Sequence, residues 1–193
     1  MTASSMRCCR RLSWIAALAA FWLAFAVPLA ARADGIEVKK AAVNMAEDGY
    51  WLEAEFEITL TSAMEDVLNK GVPLYFTLEF ELIRPRWYWL NQKITYTRQQ
   101  YRLSYNALTR QYRVGVGKLY QNFASLPEGL AFMSRVRMRD IAEAGALGKG
   151  GSYTAALRMR LDISQLPRLF QVSVVGSRDW STSSDWHRWT VSP

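Results

Sequence analysis

The residues able to do chemistry in this chain are few, and their spacing argues against catalysis. Nucleophilic catalysis needs a base beside the nucleophile. His187 is the single histidine, set between Trp186 and Arg188 near the C-terminus, where it reads as a surface or edge-strand residue. No serine stands in a Gly-x-Ser-x-Gly turn, and no Ser-x-x-Lys pattern offers a lysine base in its place. A carboxylate pair for glycoside hydrolysis could be drawn from the 17 acidic residues. Glu53, Glu55 and Glu57, however, alternate with apolar neighbours, which is what the solvent face of a strand looks like. Gly115-Val116-Gly117 is not a phosphate-binding loop and fits a bend or bulge at a strand end. With one His and two Cys there is no zinc ligand set and no disulfide framework. The reading is a non-enzyme with no cofactor and no metal.

The most unusual local composition is Arg84-Pro85-Arg86-Trp87-Tyr88-Trp89-Leu90. In extended backbone Arg84 and Arg86 point one way while Trp87 and Trp89 point the other. A second group, Trp180 and Trp186 with Trp189, flanks Ser181-Thr182-Ser183-Ser184-Asp185. The candidate binding residues are therefore Arg84, Arg86, Trp87, Trp89, Trp180 and Trp186. Exposed, they would make a surface for sugar rings or lipid headgroups. Buried, the Trp side chains would fill a core, with Arg stacked on neighbouring rings. Both readings stand at this level, and the core reading is preferred.

The elements that must position these residues are mostly strands. In Tyr50–Leu60, Leu52, Ala54, Phe56, Ile58 and Leu60 share one face and Glu53, Glu55, Glu57 and Thr59 the other. Val72–Ile83 repeats the pattern, with Leu74 to Leu82 inward and Thr77, Glu79 and Glu81 outward. Residues 152–161 do so again, with Arg158 and Arg160 outward. Further strands are predicted at Ile36–Met45, Trp87–Tyr96, Tyr101–Tyr105, Gln111–Val116, Arg135–Ile141 and Trp186–Val191. Ser62-Ala63-Met64-Glu65 has the form of a capping box and Gly71 of a helix stop, and Ser125-Leu126-Pro127-Glu128 opens a second short helix. The Gly- and Ala-rich stretch 142–152 reads as a mobile hairpin loop. The expected fold is mainly β, an antiparallel, immunoglobulin-like β-sandwich with two short α-helices, forming one domain over residues 34–193.

Residues 1–33 read as an export signal. Arg7, Arg10 and Arg11 precede an apolar run from Leu12 to Val27, Pro28 ends it, and Ala31-Arg32-Ala33 offers small residues for cleavage after Ala33. An uncleaved anchor is the competing reading. Cleavage removes four arginines, no acid and both cysteines, lowering the net charge from +7 to +3. It would leave a disulfide-free periplasmic domain with no transmembrane segment. Charge in that domain is polarised, with 11 acids and 3 bases in residues 34–83 against 6 acids and 17 bases in residues 84–193. Either the late bases form a surface for an anionic glycan or lipid, or they pair across the sheet with the early acids. The second reading is preferred because the charges alternate with apolar residues. Nucleic acid is not an expected partner, since no recognition module is present.

Four segments resemble the DUF4390 family of bacterial exported proteins of unknown function. They are Leu82–Leu90, Leu103-Ser104-Tyr105-Asn106-Ala107-Leu108-Thr109-Arg110-Gln111-Tyr112-Arg113, Leu161-Asp162-Ile163-Ser164-Gln165-Leu166-Pro167, and the Trp180 to Trp186 stretch. The resemblance implies a Gram-negative exported protein encoded near a sensor histidine kinase, and it carries over no catalytic residue. The expected function is a non-enzymatic binding module of the cell envelope. Its partner is an unidentified envelope protein, such as a membrane sensor, with an anionic glycan or lipid as the alternative.

Overall fold

Period-two alternation condenses into nine strands among the described residues of the computed structural model. Those residues are 35–46, 49–86, 88, 91–143, 145–148, 150–168, 170, 180 and 182–192. The order is β1 (Ile36–Ala46), β2 (Gly49–Ile58), α1 (Ser62–Asn69), β3 (Leu74–Arg84), β4 (Gln92–Asn106), β5 (Gln111–Val116), β6 (Leu119–Phe123), α2 (Leu126–Ser134), β7 (Arg135–Glu143), β8 (Tyr153–Leu161) and β9 (His187–Val191). All strand pairs are antiparallel, in a three-stranded sheet β1-β2-β7 and a six-stranded sheet β6-β5-β4-β3-β8-β9. The inner faces of both sheets share one apolar core, so the expected sandwich with two short helices is present. Its division into three strands and six differs from the four and three of an immunoglobulin constant domain. No helix among the described residues is long and apolar enough to cross a membrane.

Leu52, Phe56, Leu74, Phe76, Leu78, Phe80, Leu82, Leu157 and Met159 fill the centre of the core, as their alternation requires. Trp87–Tyr96 and Tyr101–Tyr105 are not two strands. From Gln92 onward they are one fifteen-residue strand, β4, because β3 pairs with it from Arg84 back to Leu74. β6 is absent from the sequence reading because Leu-Tyr-Gln-Asn-Phe does not alternate. Gly117, at φ 59°, makes the two-residue turn that folds β6 back on β5, with the positive φ a type II′ turn requires.

The 142–152 stretch is not a hairpin loop. β7 belongs to the small sheet and β8 to the large one, so this connection passes from one layer to the other. Leu147 is buried in the core, and the Gly148 N–H donates to the Tyr153 hydroxyl at 2.8 Å, which ties the connection down.

The cap of α1 also differs from expectation. The N-cap is Thr61, not Ser62, and its hydroxyl accepts from the Met64 N–H at 3.3 Å. At the far end Gly71, at φ 88°, donates to Leu68 and the Val72 N–H to Val67, a Schellman stop. Thr61→Ala should therefore lower stability by about 0.5–2 kcal/mol. Ser62→Ala should be nearly neutral. Urea denaturation of the two variants checks this, and a larger loss for Ser62→Ala would return the cap to that residue.

Candidate functional site

β3 is the strand around which a site is built, because it is paired on both sides. Its even-numbered residues from Leu74 to Leu82 enter the core, which leaves Tyr75, Thr77, Glu79, Glu81 and Ile83 on the outer face of the six-stranded sheet. Register then decides what meets what. Glu79 stands opposite Arg98 of β4 on one side and Arg158 of β8 on the other. Arg160, two residues along β8, shares that face.

The three guanidinium groups converge on one carboxylate. Arg158 donates to Glu79 Oε2 at 2.6 Å, Arg98 to Oε1 at 2.9 Å, and Arg160 lies 3.5 Å from Oε1. Tyr96 donates to the same Oε1 at 3.3 Å and accepts from Arg98 at 3.1 Å. Under this cover Glu79 is only 2% exposed and Thr77 is equally buried. The expectation that Thr77 and Glu79 face solvent is thus corrected. A central strand carries long side chains from both neighbours over its outer row.

Burial by itself would raise the Glu79 pKa. The hydrogen bond from Arg158 and the charges of Arg158, Arg160 and Arg98 outweigh it, holding the carboxyl below its ordinary value. Among the described residues one carboxylate does not balance three arginines, however, and the Nε of Arg160 is buried without a hydrogen-bond partner there.

Aromatic rings interleave with these cations. The Arg158 guanidinium lies 4.4 Å from the Trp186 ring centre, and Arg188 lies 6.0 Å from it. Lys93 sits 4.9 Å and Arg98 5.9 Å from the Tyr96 ring, and Arg102 lies 5.8 Å from Tyr75. By register the outer face carries Lys93, Arg98, Arg102, Arg113, Arg158, Arg160 and Arg188, against Glu79 and Glu81. Cross-strand pairing of early Glu with late Arg is therefore present, as is Glu53 with Arg137 at 3.0 Å on the small sheet. On the large sheet the pairing leaves a surplus of positive charge among the described residues.

The sequence-predicted candidates divide. Trp186 belongs to this face. Trp180 does not: it is a core residue, 7% exposed. The backbone nearby pairs with β8, Leu161 donating to Thr182 at 2.9 Å and Ser184 to Met159 at 2.8 Å, which holds the segment against the core. Arg84 and Arg86 are exposed at the end of β3 and just beyond it. Arg84 lies 5.9 Å from the Tyr153 ring, and Arg86 donates to Gln92. Five strand residues, about 16 Å, separate Arg84 from Glu79, so Arg84 does not join the cluster. Trp87 and Trp89 lie outside the described residues, as does the stretch 1–33, whose sequence reads as an export signal. His187 sits on β9 with its ring 5.5 Å from that of Trp189.

Glu79, Tyr96, Arg98, Arg158 and Arg160 were not singled out from sequence. Alternation puts Glu79, Arg158 and Arg160 outward, but only strand register brings them to one point. No curated protein and no solved structure matches the chain. A family model described as a domain of unknown function, DUF4390, matches residues 33–190, from ahead of β1 into β9. The chain belongs to the DUF4390 family.

Proposed function

We propose that this DUF4390 domain is an exported, periplasmic, non-enzymatic binding module of the cell envelope. The outer face of its six-stranded sheet holds an anionic group of a glycan or lipid. The observation that carries the reading is the convergence of Arg98, Arg158 and Arg160 on Glu79, the one carboxylate among the described residues that they pair with. Glu79 orders the guanidinium groups, and the charge it leaves uncompensated is available to a phosphate or carboxylate, the partners that guanidinium forks fit best. Tyr96 and Trp186 add ring faces beside the cations, suited to a sugar ring or the glycerol region of a lipid. The basic n-region, the apolar run to Pro28 and Ala31-Arg32-Ala33 support export to a compartment rich in such anions.

Cosedimentation with vesicles of phosphatidylglycerol in phosphatidylcholine, and titration with lipopolysaccharide, test the reading. Binding should require the anionic component and weaken severalfold between low and physiological salt, as screened surface contacts do. Arg102 and Arg188 lie outside the Glu79 cluster and are exposed, so the double variant Arg102→Glu, Arg188→Glu should fold normally. It should lose at least about tenfold in affinity, roughly 1.4 kcal/mol. Binding that ignores both salt and the charge reversal would sink the proposal.

A further inference from the structure

The two sheets have four edges, and three of them are defended against pairing with another chain. β1 carries Glu37, Lys39 and Lys40 and a register slip between Val38 and Lys40. β7 carries Arg135, Arg137 and Arg139, and β9 has His187 and Arg188. Charges and bulges of this kind are how edge strands are kept single. β6, the remaining edge, reads Leu119-Tyr120-Gln121-Asn122-Phe123, with no charge, no proline and no slip in its pairing with β5. Leu119 is 79% exposed and Tyr120 58%.

Beside this edge the sandwich is open. A three-stranded sheet does not cover a six-stranded one, and a cleft of about 590 Å³ lies where β5 and β6 extend past β7. Tyr101, Val116, Leu119 and Phe132 supply its apolar lining, and Arg135 and Arg137 come from β7. Arg137 is engaged with Glu53, whereas the Arg135 side chain makes no hydrogen bond or ion pair among the described residues.

We infer that β6 is a docking edge that accepts an extended, acidic segment of a partner protein as a seventh strand of the large sheet. Backbone hydrogen bonds to β6 would supply the register. Alternate side chains of the added strand would point to the cleft side, where Leu119 and Phe132 favour apolar residues. The rest would point to the outer face, where β5 presents Arg113. Arg135, exposed beside the cleft, attracts the same carboxylates at longer range rather than by direct contact. This surface is separate from the Glu79 cluster, and neither proposal depends on the other.

Three labelled heptapeptides serve as probes by fluorescence polarisation: alternating valine and glutamate, a block-ordered isomer of the same composition, and alternating valine and lysine. The expected result is saturable binding of the first alone, with added hydrogen-exchange protection at the β6 amides. Leu119→Lys places a charge on the edge, and Arg135→Glu reverses the unpaired cation. Both positions are exposed, so each variant should melt like the parent yet bind at least about fivefold more weakly. No saturable binding up to about 1 mM would overturn the inference, as would equal binding of the block isomer or indifference to both substitutions. A dimer in gel filtration that Leu119→Lys dissociates would also overturn it, because the edge would then belong to a second copy of this chain.

Discussion

Trp180→Ala is expected to lower the stability of the domain by about 3–5 kcal/mol, whereas Trp186→Ala should change it by less than about 1 kcal/mol. The two residues are six apart and share a Ser/Thr-rich neighbourhood, but their surroundings differ in kind. Trp180 lies among the core residues, and removing its indole leaves a cavity that strands pinned on both sides cannot close. Trp186 is half-buried on the outer face, where its ring lies against Arg158 and Arg188. Losing it removes ring contacts with cations that water can solvate. Urea denaturation separates the two, and iodide quenching supplies a second readout, because Trp186 should account for more of the quenchable fluorescence than Trp180. Equal losses for both variants would show that the tryptophans have not been divided between core and surface.

Glu79→Gln is expected to cost about 2–3 kcal/mol at neutral pH. That is below the ~3–5 kcal/mol seen when a fully buried pair is broken, because the arginines left behind are partly exposed and can turn to water. The effect should depend on pH with a definite sign. The folded protein holds Glu79 below its ordinary pKa of 4.5, so the folded state binds that proton more weakly than the unfolded chain does. The stabilisation is complete above about pH 4.5 and is lost as pH falls through the folded-state value. Wild type and Glu79→Gln should therefore differ most at pH 7 and converge as the carboxyl protonates. Chemical denaturation at pH 7 and pH 3 checks both points. A gap that stays constant or widens in acid would mean that Glu79 is not stabilised as a carboxylate by its arginines. The same variant bears on function: without Glu79 the three guanidinium groups lose the anchor that orders them.

The composition of the strands was legible because alternation is a local property. Leu52-Glu53-Ala54-Glu55-Phe56 must be half-buried whatever it pairs with, since apolar residues two apart share a face and cannot all face water. Short gaps between strands made antiparallel pairing necessary for the same local reason. The Arg and Trp side chains were visible as unusual, but what each does was decided elsewhere. Trp180 and Trp186 look alike in sequence, yet the pairing of Thr182 and Ser184 with β8 sends one into the core and leaves the other outside. Glu53 and Glu79 likewise occupy equivalent positions in their strands. Glu53 meets one arginine on the narrow sheet. Glu79, on a strand flanked by β4 and β8, is covered and held by three. The β6 edge and the cleft beside it arise because the two layers hold unequal numbers of strands, a mismatch written in no single segment. Sequence determined which residues face in and which face out. Tertiary structure decided register, sheet membership and overhang, because these depend on residues far apart in the chain, as Arg98 and Arg158 lie 19 and 79 positions from Glu79, that only the folded chain brings into contact.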